Sequence, residues 1–188
     1  MINNFLEIEK KHKKLIDKAL ELLKLIEQDR VHNIMHITDV VNFTKEICIN
    51  LPLEINFEVC LISAYWHDVG RIHIQKGHEE ESCIILQKYM EELNYEKDFI
   101  SQCINAIKYH GWDMHPKTTE GRIVQDADFL ALLGENRWKE CLKYNSSLDK
   151  IVSLLPECKN KLNFEYSKSL FDNQFFKIFN ILYKNISK

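Results

Sequence analysis

The chain has 188 residues, of which 45% are hydrophobic and 28% charged, and a formal net charge of −3. That balance describes a globular domain able to bury its own core, and it gives no electrostatic reason to expect a nucleic-acid polymer or an anionic membrane as partner. No apolar run approaches the roughly 18 residues that span a bilayer, Met1 to Lys14 has no apolar signal core, and no cysteine pair is spaced Cys-x-x-Cys, so a reducing, cytoplasmic setting is expected.

Only 5 Gly and 3 Pro interrupt the sequence, and no Asn-Gly dipeptide separates alternating runs, so an all-α single domain is expected. Apolar periodicity predicts helices over 4–28, 33–49, 55–68, 79–94, 97–110, 119–133, 136–144, 147–155 and 167–186. The first carries the stripe Leu15, Ala19, Leu22, Leu23 and Ile26. The third differs from the rest: Val59 to Trp66 is apolar almost all round, broken only by Ser63. Such a helix is buried on every side and is expected to be central, with Gly70 as its C-terminal stop. Phe164, Phe171, Phe175, Phe176 and Phe179 are expected to pack the last helix onto the domain, a surface that also leaves room for a homodimer. Residues 1–28 thus read as an N-terminal helix, 29–144 as the core and 145–188 as helices completing the same domain.

Residues that carry chemistry cluster in the middle. Seven of the 8 histidines lie between His32 and His115, and all 5 glycines between Gly70 and Gly134. His12, flanked by lysines, reads as surface. His32 and His36 share a helix face; His32 suits a cap or the surface, whereas His36 borders the Ile37, Val40 and Val41 stripe and can point inward. His67 and Asp68 end the buried helix. Such a pair is costly in a core unless paired or metal-bound. A plain His–Asp ion pair would explain it alone, but further ligand types follow: His78, His110, Asp126 and Asp128. Imidazole with carboxylate suits Mn, Fe, Co, Ni or Zn. No cysteine stands near them, against a structural zinc site. There is no His-Glu-x-x-His helix and no glycine-rich phosphate loop.

Three stretches resemble the HD superfamily of metal-dependent phosphohydrolases, over roughly residues 29 to 135: RVHNIMHITDVV, LISAYWHDVGR and HPKTTEGRIVQDADFLALLG. The resemblance implies a helical bundle holding a divalent cation on His36, His67, Asp68 and Asp128. GHEEES and IKYHGWD resemble the places where dinuclear members supply extra histidines, implying a second ion on His78 and His110 with Asp68 as bridge. Arg71 replaces the lysine common after His-Asp-x-Gly. Phe129 and Ala131 stand where small bacterial relatives often have Arg and Asp. HGWDMHP lacks the Gly-Tyr-Pro signature of the cyclic-dinucleotide branch, and that activity is not assigned.

The resemblance implies hydrolysis of a phosphate ester or phosphoanhydride, with a nucleotide as the expected substrate. Asp68 and Arg71 are the expected catalytic residues. Arg71, Lys76, Lys117 and Arg122 are candidates for gripping the phosphate, and His73, His115 or Asp126 for moving the proton. Two alternatives stand beside this: a dinuclear-iron oxygenase, which His78 and His110 permit, and a non-catalytic metal- and nucleotide-binding regulatory module.

Overall fold

The stretch from Val59 to Trp66 offers no polar face to water, and it lies at the centre of the molecule. In this computed structural model, which describes residues 2–26, 33–135, 137–138 and 148–186, it forms α4 (Phe57–Trp66). The Asn56 side chain caps it, accepting from the Val59 amide at 3.3 Å. All of Val59 to Ala64, and Trp66, are buried. The enclosure is made by α2 (Lys13–Leu23), α3 (Ile34–Asn50), α6 (Lys97–Lys108) and α7 (Thr119–Leu130), each packed directly on α4. Helices α1 (Ile2–Lys11), α5 (His78–Glu92), α8 (Leu148–Lys161) and α9 (Glu165–Ile186) complete the layers. Among the described residues there is no strand, as the all-α reading expected.

The long first helix expected over 4–28 is broken. His12 separates α1 from α2, with φ −100° and ψ 17°. It is not a surface residue: it is only 2% exposed. Its ring packs in a three-ring cluster with Tyr95 and Phe99, at centroid distances of 5.5 and 5.6 Å, and its two nitrogens meet the Tyr95 hydroxyl and Glu58. Flanking lysines misled the reading; Lys11 and Lys13 face outward while the histidine between them faces α4 and α6.

Gly70 ends the α4 segment for a reason different from the expected one. Its φ is not positive. A Cβ there would instead lie 2.2 Å from the His78 carbonyl oxygen and 2.6 Å from the Ser82 amide nitrogen. Glycine is required because the start of α5 passes against the backbone. Ser82 locks that crossing: its hydroxyl accepts from the Gly70 amide at 2.8 Å and donates to the His67 carbonyl at 2.7 Å. The end of α4 and the start of α5 are thereby held together.

Helix α8 runs on through Pro156, past its expected end at 155. Most of the helix expected over 136–144 lies outside the described residues, as do His32 and Cys141. The other cysteines are free and buried, as small hydrophobes. Of the C-terminal phenylalanines only Phe171 is buried and Phe164 half-buried; Phe175, Phe176 and Phe179 are exposed. The expected inward packing therefore holds for Phe164 and Phe171, while further along α9 it is Ile178 rather than a phenylalanine that is buried.

Candidate metal centre

Five helix ends meet beside α4. Asn33 caps α3, its side chain accepting from the Met35 and His36 amides at 3.0 and 3.2 Å, which places His36 in the first turn. His67 follows the last residue of α4, His78 opens α5, His110 lies two residues past α6, and Asp128 stands in the last turn of α7. His36, His67, Asp68, His78 and His110 are all buried, and Asp128 is half-buried at the edge of a cavity.

Three of the four imidazoles are oriented in the same way. The carbonyls of a helix's last turn lack intrahelical partners. His67 Nδ1 donates to the Ala64 carbonyl at 2.9 Å, and His110 Nδ1 to the Ile107 carbonyl at 2.7 Å. His78 Nδ1 donates to the Gln75 carbonyl at 3.1 Å. A carbonyl only accepts, so the ring proton is on Nδ1 in each. In each, Nε2 is thereby turned inward as the atom that would take a metal.

The donor atoms stand close together. His36 Nε2 lies 3.5 Å from Asp68 Oδ2 and 3.2 Å from Asp128 Oδ1. His67 Nε2 lies 3.6 and 3.7 Å from the same two oxygens. A cation with bonds of about 2.1 Å holds neighbouring donors roughly 3.0–3.4 Å apart, so these residues are near the spacing that an ion would impose. The fit shows again in what they lack. His67 Nε2, His78 Nε2 and Asp68 Oδ2 are buried with no hydrogen-bond partner. A buried lone pair so placed is costly unless something fills the gap. Around His36 and His67 the contacts of 3.2–3.7 Å are longer than a tight ion pair such as Arg71 Nε on Asp68 Oδ1 at 2.7 Å.

The charges are tuned to match. Burial disfavours a charged His67, but Asp68 and Asp128 outweigh it and raise its pKa to about 9. Burial likewise opposes ionisation of Asp68, yet His67, His36, His78 and Arg71 hold it well below the usual carboxylate range. Asp128 is held low against burial by His36 and His67. His110 is pulled down to about 4 by burial and by the positive His67. Three donor groups emerge: His36, His67 and Asp68; His67, His110 and Asp128; and Asp68, His78 and His110, each with its atoms within 4.8 Å of one another.

Arg71 Nε donates to Asp68 Oδ1 at 2.7 Å, and the guanidinium lines the cavity. Lys76, Lys117 and Arg122 are exposed and not among the lining residues; Lys117 lies over the Tyr109 ring instead. Asp126 is wholly buried and accepts from the Asn163 amide at 2.8 Å and the Phe164 amide at 3.2 Å, at the start of α9. That is a capping role. His73 pairs with Glu81 on the surface, and His115 is exposed.

Sequence reasoning missed two charged residues of the cavity lining. Glu79 follows His78 in the first turn of α5, and its carboxylate lies over Gly111, where a Cβ would meet Oε1. Arg137 is nearly buried, and its Nη2 donates to His36 Nδ1 at 3.1 Å. An arginine can only donate, so the ring proton of His36 sits on Nε2, facing Asp128. A cation taking Nε2 would displace that proton and reverse the polarity at Nδ1 that Arg137 now fixes. No periodicity marks either residue; a charge in the first turn of an expected helix, as both are, reads as surface.

A family model described as HD domain matches residues 33–133. Among curated proteins none matches. Among solved structures, the chain is similar to a predicted HD superfamily hydrolase from an uncultured Thermotogales bacterium. The TM-score is 0.74 at 18% identity, covering 94% of this chain and 92% of that one. At that identity the likeness establishes the fold.

Proposed function

The chain belongs to the HD domain family, and on that premise we propose that it is a metal-dependent hydrolase that cleaves a phosphate ester or phosphoanhydride bond, its substrate a nucleotide. The observation that carries this is the convergence of His36 and His67 on Asp68 and Asp128, with each imidazole Nε2 within 3.2–3.7 Å of both carboxylates. These four would hold one cation; His78 and His110, with Asp68 between, would hold another.

When bound, such a cation supplies Lewis acidity toward a phosphoryl oxygen and toward water. The chain's own residues do the rest. Asp68, fixed by Arg71, keeps one oxygen toward His36 and His67 and the other toward His78. Arg71 and Arg137 both line the cavity beside Asp128. Two guanidiniums there suit the charge spread over phosphoryl oxygens in the transition state. In the overall reaction water adds to phosphorus, the bond from phosphorus to the leaving oxygen breaks, and a proton from water ends on that oxygen. Metal analysis of the purified protein, then a phosphate-release screen over nucleotides with Mn, Co, Ni and Mg, tests the proposal. Release that follows metal loading supports it; a fully loaded protein that releases none from any of them contradicts it.

The second group of donors, Asp68 with His78 and His110, favours one other reading, a dinuclear-iron oxygenase. Oxygen consumption by iron-loaded protein, without phosphate release, would select it.

A further inference from the structure

The cavity beside Asp128 has two unlike halves. One is polar, with Arg71, Arg137, Glu79 and His110. The other is apolar, with Trp112, Phe129, Leu132 and Leu154. Its volume is about 280 Å³, just under the roughly 300 Å³ at which pockets for drug-sized ligands begin.

The apolar half is held in place before any ligand arrives. Trp112 Nε1 donates to Glu157 Oε1 at 3.1 Å, and its carbonyl accepts from Lys161 Nζ at 3.0 Å. The Lys161 ammonium lies 5.4 Å from the indole centroid. The Phe129 ring stands 4.8 Å away, tilted by 47°. Gln125 ties down the loop that carries the indole, donating to the Gly111 and Met114 carbonyls at 3.1 and 2.9 Å. Glu157, Lys161 and Leu154 all come from α8, beyond the segment that the family model matches. Rigid aromatic walls bind flat rings without an ordering cost.

We propose that Trp112, Phe129, Leu132 and Leu154 form a subsite for a flat aromatic or heteroaromatic ring on the leaving group of a small phosphate monoester, with its phosphate at Arg71 and Arg137. The subsite rests on the phosphohydrolase reading for the second half of that statement, and it narrows the substrate. The ring faces a wall with no matching polar group, so recognition is by shape and stacking. The volume admits one ring system with one phosphate and leaves little room for a polyphosphate chain or a second nucleotide.

The test separates binding from turnover. Calorimetry on manganese-loaded protein compares phenylphosphonate with methylphosphonate, which cannot be hydrolysed as esters. Phenylphosphonate is expected to bind about tenfold more tightly, the effect of one stacked ring. Trp112→Ala should abolish the preference and Trp112→Phe should keep most of it. Leu154→Glu, at a half-exposed position that threatens folding less, should also reduce it. Equal binding of the two phosphonates, binding of neither, or a preference that survives both Trp112→Ala and Leu154→Glu would overturn the subsite. Phosphate release from phenyl phosphate and glycerol phosphate is followed in parallel. A phosphonate preference without release from either ester or from any nucleotide of the phosphate-release screen retains the subsite and removes the hydrolytic reading; release from both esters with no phosphonate preference does the reverse.

Discussion

Nε2 of His78 stands 3.0 Å from Oδ1 of Asp68, on the opposite side of the carboxylate from the oxygen that faces His36 and His67. One carboxylate thus looks into two donor groups. If both hold ions, removing His78 or His110 should cost the second equivalent and spare the first. Asp68→Ala should lose both along with turnover, while the fold is retained, because the helices meet through apolar contacts and the Ser82 bridge. Metal content per chain, with far-UV circular dichroism, checks this. An Asp68→Ala protein that loads metal and turns over normally would contradict it.

Metal binding should release protons. With its pKa at about 9, His67 is protonated at neutral pH in the free protein, and a cation must displace that proton. Affinity should therefore rise with pH, by up to about tenfold per unit, until it levels near 9. Calorimetry in two buffers of different ionisation enthalpy counts the protons. A pH-independent affinity between 6 and 9 would contradict the charge state assigned to His67.

Gly70→Ala should destabilise the protein by about 2–4 kcal/mol, since the new methyl group meets backbone rather than a flexible side chain. The start of α5 must move, carrying His78 with it. Denaturant unfolding should show the loss, and metal binding at His78 should weaken as well. A neutral substitution would mean that α5 yields more easily than its crossing with α4 suggests.

The cations should separate into two classes. Arg71→Ala and Arg137→Ala should each lower kcat/KM by about 10²-fold, as loss of a transition-state donor does. Lys76→Ala, Lys117→Ala and Arg122→Ala should change it little, since those side chains lie outside the cavity lining. Arg137→Ala should keep or strengthen metal binding, because the arginine now holds His36 in the tautomer that a cation must reverse. Weaker metal binding in this variant would make Arg137 a support for His36 rather than a substrate contact.

What the sequence made legible follows from how each signal arises. An all-round apolar helix can only be central, and His67 with Asp68 at its end can only be buried; both are consequences of local composition. His36 was singled out because it borders an apolar stripe, and Asp126 and Asp128 because they lie in a mostly apolar segment; the choice of Asp128 between those two came from the resemblance. Resemblance supplied the partnership among the four, which spacing alone left open. His12, Glu79, Arg137 and Trp112 were misread or missed because their environments come from segments far along the chain. Tyr95 encloses His12, Gly111 makes room for Glu79, and α8 fixes Trp112. Gly70 was assigned the correct place for the wrong reason, since a close approach by α5 leaves no mark on helical periodicity.

Diffraction at an absorption edge of the bound metal, on crystals grown with manganese, would locate the ion itself. An anomalous peak about 2.0–2.3 Å from His36, His67, Asp68 and Asp128 together is the predicted result. A peak elsewhere, or none there in protein shown to carry manganese, would contradict the assignment of these residues as the metal centre.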